Sequence, residues 1–124
     1  MLIYSILDDA RGAAARRSLL GADGRLGSNL LLVELLRKPM RAGLVDEVRA
    51  LEQTLATMEL RPADDEVVEA ALSFSVKYGL KTRDAIHLAT AVVWGAARFH
   101  TNNRKHFGPH ITEVEVVHPS PAVG

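Results

Sequence analysis

An α/β sandwich built on a mainly parallel sheet is the fold class this sequence predicts, on three observations. Short apolar runs rich in strand formers, Leu2 to Leu7 (LIYSIL), Ala97 to His100 (ARFH) and Val114 to Val117 (VEVV), are separated by longer stretches of helical periodicity. The first two runs end in polar residues, Asp8-Asp9 and Thr101-Asn102-Asn103-Arg104-Lys105, and the carboxyl ends of strands are where open α/β sheets hold ligands. The chain has 124 residues, 48% hydrophobic and 24% charged, which is enough for one real core and too few for two.

Each element has its own local reason. The run LIYSIL reads as a strand buried on both faces. Good helix formers follow from Ala10 to Leu20, and Gly21 with Ala22-Asp23-Gly24 closes that helix. Asp8 and Asp9 are either caps of this helix or acids of a site. Ser28 or Asn29 caps a helix from Leu30 to Arg37 that Pro39 ends, with Leu31, Leu32, Leu35 and Leu36 as its core face. Glu34 sits among these leucines, and burying an unpaired carboxylate is expensive. It is therefore a site residue or lies on the solvent side.

Gly43 starts a helix that runs to about Leu55, followed by an extended piece from Met58 to Arg61. Pro62-Ala63-Asp64-Asp65 begins the next helix, which reaches Tyr78 with Val67, Val68, Ala71, Leu72 and Val76 as its buried side. Gly79 can adopt the left-handed conformation that stops it. Thr82 then caps a helix running to Trp94 and closed at Gly95, with Asp84 in its first turn, where the dipole favours a carboxylate. Ala85, Leu88, Ala89, Ala91 and Val92 make that helix apolar and slim enough to lie close to a sheet. Asp84 is either a cap or an ionised site residue. Residues 1–118 form one domain in this reading, and 119–124 a loose tail.

Composition excludes several classes. Fifteen basic and fifteen acidic side chains cancel, so a nucleic-acid surface would have to be a local patch. The absence of cysteine rules out disulfides and thiolate zinc sites, and a cytoplasmic location fits. No run is apolar for long enough to span a bilayer, so no membrane is expected.

The end of the first strand, Asp84 and Asn103 fall at comparable edges of such a fold, and Glu34 can join them from its helix. Oxygen ligands drawn from separate segments suit Mg²⁺ or Mn²⁺. Arg104 and Lys105 beside them would hold a nucleic-acid backbone. His106 and His110 have the spacing of a zinc pair, but Gly108 and Pro109 between them forbid a helix. His87 reads as a hydrogen-bonded core or site-edge histidine.

At these residues the chain resembles the PIN domain family, specifically the VapC-type toxins of bacterial toxin–antitoxin pairs. Leu80 to Ala91 (LKTRDAIHLATA), then Gly95 to Asn103 (GAARFHTNN) with Phe107, matches that family's signature in type, order and spacing. Ser28 to Arg37 (SNLLLVELLR) resembles its second motif, a serine before an apolar helix carrying one glutamate.

The resemblance implies a three-layer α/β/α sandwich and Mg²⁺- or Mn²⁺-dependent cleavage of RNA phosphodiesters. It also implies a homodimer and a cognate antitoxin partner. Carried over, Glu34 is the second acid and Asp84 the third. Asn103 stands where many members have a fourth acid, able to position water but without the charge. The first acid departs from the pattern. Asp8 either replaces it, or Asp8 and Asp9 follow a missing segment and leave the place empty. Asp84, Glu34 and Asp8 would then hold the metal. Two rivals remain: an inert PIN-like module that binds RNA or antitoxin without cutting, and a phosphoacceptor receiver domain suggested by Asp8-Asp9.

Overall fold

The computed structural model describes residues 3–5 and 25–118. Five short strands form one sheet: β1 (Ile3–Ser5), β2 (Arg25–Ser28), β3 (Glu59–Arg61), β4 (Arg98–His100) and β5 (Glu115–Val117). Their order is β3-β2-β1-β4-β5, and every pairing is parallel. Among the described residues four helices accompany them: α1 (Leu30–Arg41), α2 (Val45–Leu55), α3 (Asp65–Tyr78) and α4 (Thr82–Val93). Tyr4 of central β1 pairs with Leu26 on one side and Phe99 on the other.

The helices bury their apolar faces in two clusters. One joins Tyr4, Leu26 and Phe99 of the sheet to α3 and α4 through Val67, Phe74, Leu88 and Ala89, with Phe107 behind them. Here Tyr4 stacks on Phe99 with ring centroids 5.2 Å apart, and Phe99 meets Phe107 at 4.9 Å. The other cluster joins α1 and α2 through Leu31, Leu35, Leu36, Leu51 and Leu55, together with Met58. Adjacent residues of β2 serve different clusters, Leu26 the first and Gly27 the second, because successive side chains leave a strand on opposite faces. The result is an α/β/α sandwich.

Strand β2 was not expected from the sequence. RLGS offers one large apolar residue and a glycine, so it carries no strand pattern, yet all four residues are buried. Gly27 explains the composition. A Cβ there would come within 2.8 Å of Met58 Cε and 2.9 Å of Leu31 Cδ1, so the missing side chain is what lets α1 approach the strand.

Other expectations need correction. Helix α1 does not stop before Pro39 but carries it in the last turn and runs to Arg41; the missing N–H costs the helix one bond, to the carbonyl four residues back, without ending it. Leu32 is exposed rather than part of the core face. Val68, Leu72 and Val76 of α3, expected to be buried, form an exposed row at i, i+4 and i+8, and Phe74 takes the buried place with Val67 and Ala71. The capping assignment at α4 also fails: Lys81 is the extended N-cap residue and Thr82 is the first helical one. At α1 the two candidates divide the work. Asn29 holds the N-cap position without a side-chain bond, while Ser28 Oγ accepts from Leu30 N at 3.1 Å. The expected Ala10–Leu20 helix, Asp8 and Asp9, and the 119–124 tail lie outside the described residues.

Gly79, with φ of 67°, turns α3 into α4. The end of α3 is also tied to the segment before β5. Glu113 accepts from Lys77 Nζ at 2.8 Å and from Tyr78 Oη at 2.5 Å. Burial pushes the Glu113 carboxyl up, but those two donors outweigh it and hold it at about 2 against an ordinary 4.5. A depressed carboxylate stabilises the fold above its unfolded pKa and loses that contribution as pH falls. The expected window of loss therefore runs from about 4.5 down to about 2. Glu113→Gln should flatten the acid limb of stability there, as read by urea midpoints across that range. An unchanged slope would refute the link.

Candidate functional site

The site is built where three elements deliver polar side chains to the carboxyl side of the sheet. The parallel order places β1 beside β4, so the strand order reverses across that junction, which is where such sheets form a crevice. Helix α1, leaving β2, carries Glu34. Helix α4, running back toward the sheet's amino side, presents Asp84 in its first turn. The turn after β4 supplies Asn103 and His106.

These residues form one continuous polar chain. Tyr4 Oη donates to His87 Nδ1, which leaves the Nε2 proton of His87 to donate to Glu34 Oε1 at 2.8 Å. Arg83 Nε donates to Glu34 Oε2, and Arg83 Nη1 donates to Asp84 Oδ1 at 3.2 Å. His106 Nδ1 donates to Asp84 Oδ2 at 2.9 Å. Asn103 supports that histidine: its Oδ1 accepts from His106 N at 3.0 Å, and its own N–H is held by Thr101 Oγ1 at 3.0 Å. Glu34 and Asp84, fifty positions apart in the chain, thus share a single guanidinium.

Burial and charge oppose each other in this chain. Tyr4 and His87 are fully buried, and Asp84 is only 5% exposed. Burial pushes the Tyr4 hydroxyl well above its usual range, so it stays a proton donor. Burial also pushes the Glu34 carboxyl up, but the bonds and charges of His87 and Arg83 more than offset this, leaving it below the ordinary value. The donors win, and Glu34 is ionised.

Asp8 lies outside the described residues. Arg104 and Lys105 are exposed on the turn between Asn103 and His106. His110 goes elsewhere and meets the Tyr78 ring edge-on at 5.6 Å. Sequence reasoning missed Tyr4, Arg83 and His106. A signal existed for Arg83: a cation in the first turn of a helix opposes the dipole and needs acids to hold it. His106 had no such signal, because only the turn geometry brings it to Asp84.

Among the described residues, no group of three or more histidine, aspartate or glutamate side chains stands ready to enclose a metal ion. The Glu34–Asp84 pair fits the other kind of divalent site, in which Mg²⁺ or Mn²⁺ takes one or two carboxylates and keeps several waters. Also among the described residues, no helix is long and apolar enough to cross a membrane.

His87→Ala should remove the ring that donates to Glu34 Oε1 and accepts from Tyr4 Oη, leaving each of those two oxygens without that partner in a buried place. A loss of about 1–3 kcal/mol is expected, measured by urea unfolding near neutral pH. A change within error of zero would mean the chain is not a structural unit.

A family model described as the PIN domain matches residues 1–108. No curated protein matches the chain in sequence. Among solved structures, a chain of a toxin-antitoxin complex from Klebsiella pneumoniae is similar in fold, with a TM-score of 0.65 and 20% identity. That alignment covers 93% of this chain and 99% of the other.

Proposed function

The chain belongs to the PIN domain family, and from that premise we propose that it is a divalent-metal-dependent ribonuclease, the toxin of a toxin–antitoxin pair. One observation carries this reading: Glu34 and Asp84 meet at one guanidinium beside the carboxyl ends of the strands. Membership leaves no room for the receiver-domain alternative. The toxin-antitoxin origin of the structural neighbour supports an antitoxin partner. The exposed row Val68, Leu72 and Val76 supports a protein-covered surface, in a homodimer or with that partner.

In this reading Glu34 and Asp84 hold Mg²⁺ or Mn²⁺, with Asp8 the candidate third acid from the segment after β1. When bound, the ion supplies Lewis acidity, easing deprotonation of water and offsetting charge on the phosphate. The chain's own residues do the rest. His87, held by Tyr4, fixes one Glu34 oxygen, so the carboxylate does not rotate. His106, held by Asn103, does the same for Asp84. Asn103 offers an amide at the site's edge to orient water. Exposed Arg104 and Lys105 bind the RNA backbone beside it.

A second reading has its own support. Every oxygen of Glu34 and Asp84 already accepts a proton from Arg83, His87 or His106, which suits a PIN-like module that binds without cutting. Cleavage of RNA in Mg²⁺ or Mn²⁺ separates the two. The nuclease should lose at least about 100-fold on Asp84→Ala, in line with loss of an electrostatic element of a site. Equal inactivity of native and mutant protein would leave the binding module.

The joint variant Arg104→Gln/Lys105→Gln should weaken RNA binding for all sequences alike. The slope of log affinity against log salt should fall by about 0.7 per lost phosphate contact. A filter-binding series in salt reads this, and an unchanged slope would remove both residues from the RNA surface.

A further inference from the structure

We propose that Arg83 is a resident counter-ion of the acidic pair, holding Glu34 and Asp84 together before metal arrives and exchanged for the divalent ion on loading. This rests on the metal-dependent reading above and adds the residue that controls entry to the site.

The geometry singles out Arg83 among the three donors. Of the two acids His87 bonds only Glu34, and it is fully buried against Tyr4, so it cannot leave without opening the core. His106 touches only Asp84 of the two acids. Arg83 alone of the three donates to both carboxylates, and its side chain is 40% exposed, the most open of the three. It occupies the position between the acids that a shared cation would need.

The electrostatics point the same way. Arg83 is the second residue of α4, where the unpaired N–H groups carry partial positive charge. That end of the helix favours Asp84 and disfavours a guanidinium. Arg83 is therefore held by the carboxylates against its own helix, and a divalent ion offers those carboxylates twice the charge at shorter range. Once displaced, the guanidinium remains tethered at the site, and its fork of donors matches a phosphodiester oxygen pair. Loading the metal thus frees a phosphate ligand.

The test is Mn²⁺ binding, read from the electron paramagnetic resonance signal of the free ion, with thermal melting of the same samples. Arg83→Gln should bind Mn²⁺ at least about tenfold more tightly than the native protein, which is about 1.4 kcal/mol. Its melting temperature should be lower without metal and rise further with Mn²⁺ than the native protein's. Lys77→Gln, which removes an equal charge from the pair with Glu113, should leave Mn²⁺ affinity unchanged.

If Arg83→Gln does not fold without metal, recovery of its circular dichroism on adding Mn²⁺ supports the exchange, and no recovery opposes it. Arg83→Lys then supplies the affinity, expected about threefold tighter than native, because an ammonium cannot span both acids as the fork does. Equal Mn²⁺ affinity in native protein, Arg83→Gln and Arg83→Lys, with binding abolished by Asp84→Asn, would overturn the exchange and leave the metal-dependent reading standing. Absence of Mn²⁺ uptake in all of them would overturn both.

Discussion

Glu34 accepts from His87 with one oxygen and from Arg83 with the other, and this doubly held carboxylate is the point at which the two hydrophobic clusters are joined by polar bonds. Helix α1 belongs to one cluster and α4 to the other. Apolar packing alone says how deep each helix lies, but it is non-directional and sets no register between them. Charge-assisted hydrogen bonds do set one, at about 1.5–3 kcal/mol each. The lowered pKa of Glu34 says which effect prevails: the donors overcome the burial penalty. Losing a donor is then costly twice, through the lost bond and through the buried charge left behind.

The same constraint orders the site outward from the core. Tyr4 lies on the central strand, stacked on Phe99, so its hydroxyl is as fixed as the sheet itself. His87 is set by Tyr4, Glu34 by His87, and Arg83 by Glu34 and Asp84. Exposure grows along the series, from nothing at Tyr4 and His87 to a partly open Arg83 and His106. A buried, fixed inner end and a solvent-exposed outer end are what a site needs if it is to hold geometry while exchanging ligands.

This gradient also brings the nuclease and the inert-module readings under one description. Carboxylates saturated by protein donors describe a resting state that is neutralised from within. Whether such a state is an end point or a precursor depends on the strength with which its outermost cation is held. The positive end of the α4 dipole weakens that hold while strengthening the one on Asp84.

Much of this was legible in the residues. The alternation of apolar runs and helical stretches carried the α/β class, and the run from Leu80 to Asn103 carried the family resemblance, because local spacing is what a motif records. Asp64, read from the sequence only as an acid at a helix start, is in fact the N-cap of α3, its side chain accepting from Val67 N at 3.0 Å. Strand β2 was not legible, since RLGS owes its burial to neighbours on both sides rather than to its own pattern. Nor was the outward face of α3, where apolar residues on more than one side of the helix left periodicity without a unique answer. By itself the sequence determined that Asp84 would stand at the mouth of a buried helix and that Glu34 would sit among leucines. Only the tertiary structure decided that one guanidinium would hold both, because that meeting depends on how two helices from different layers converge, and no local interaction encodes it.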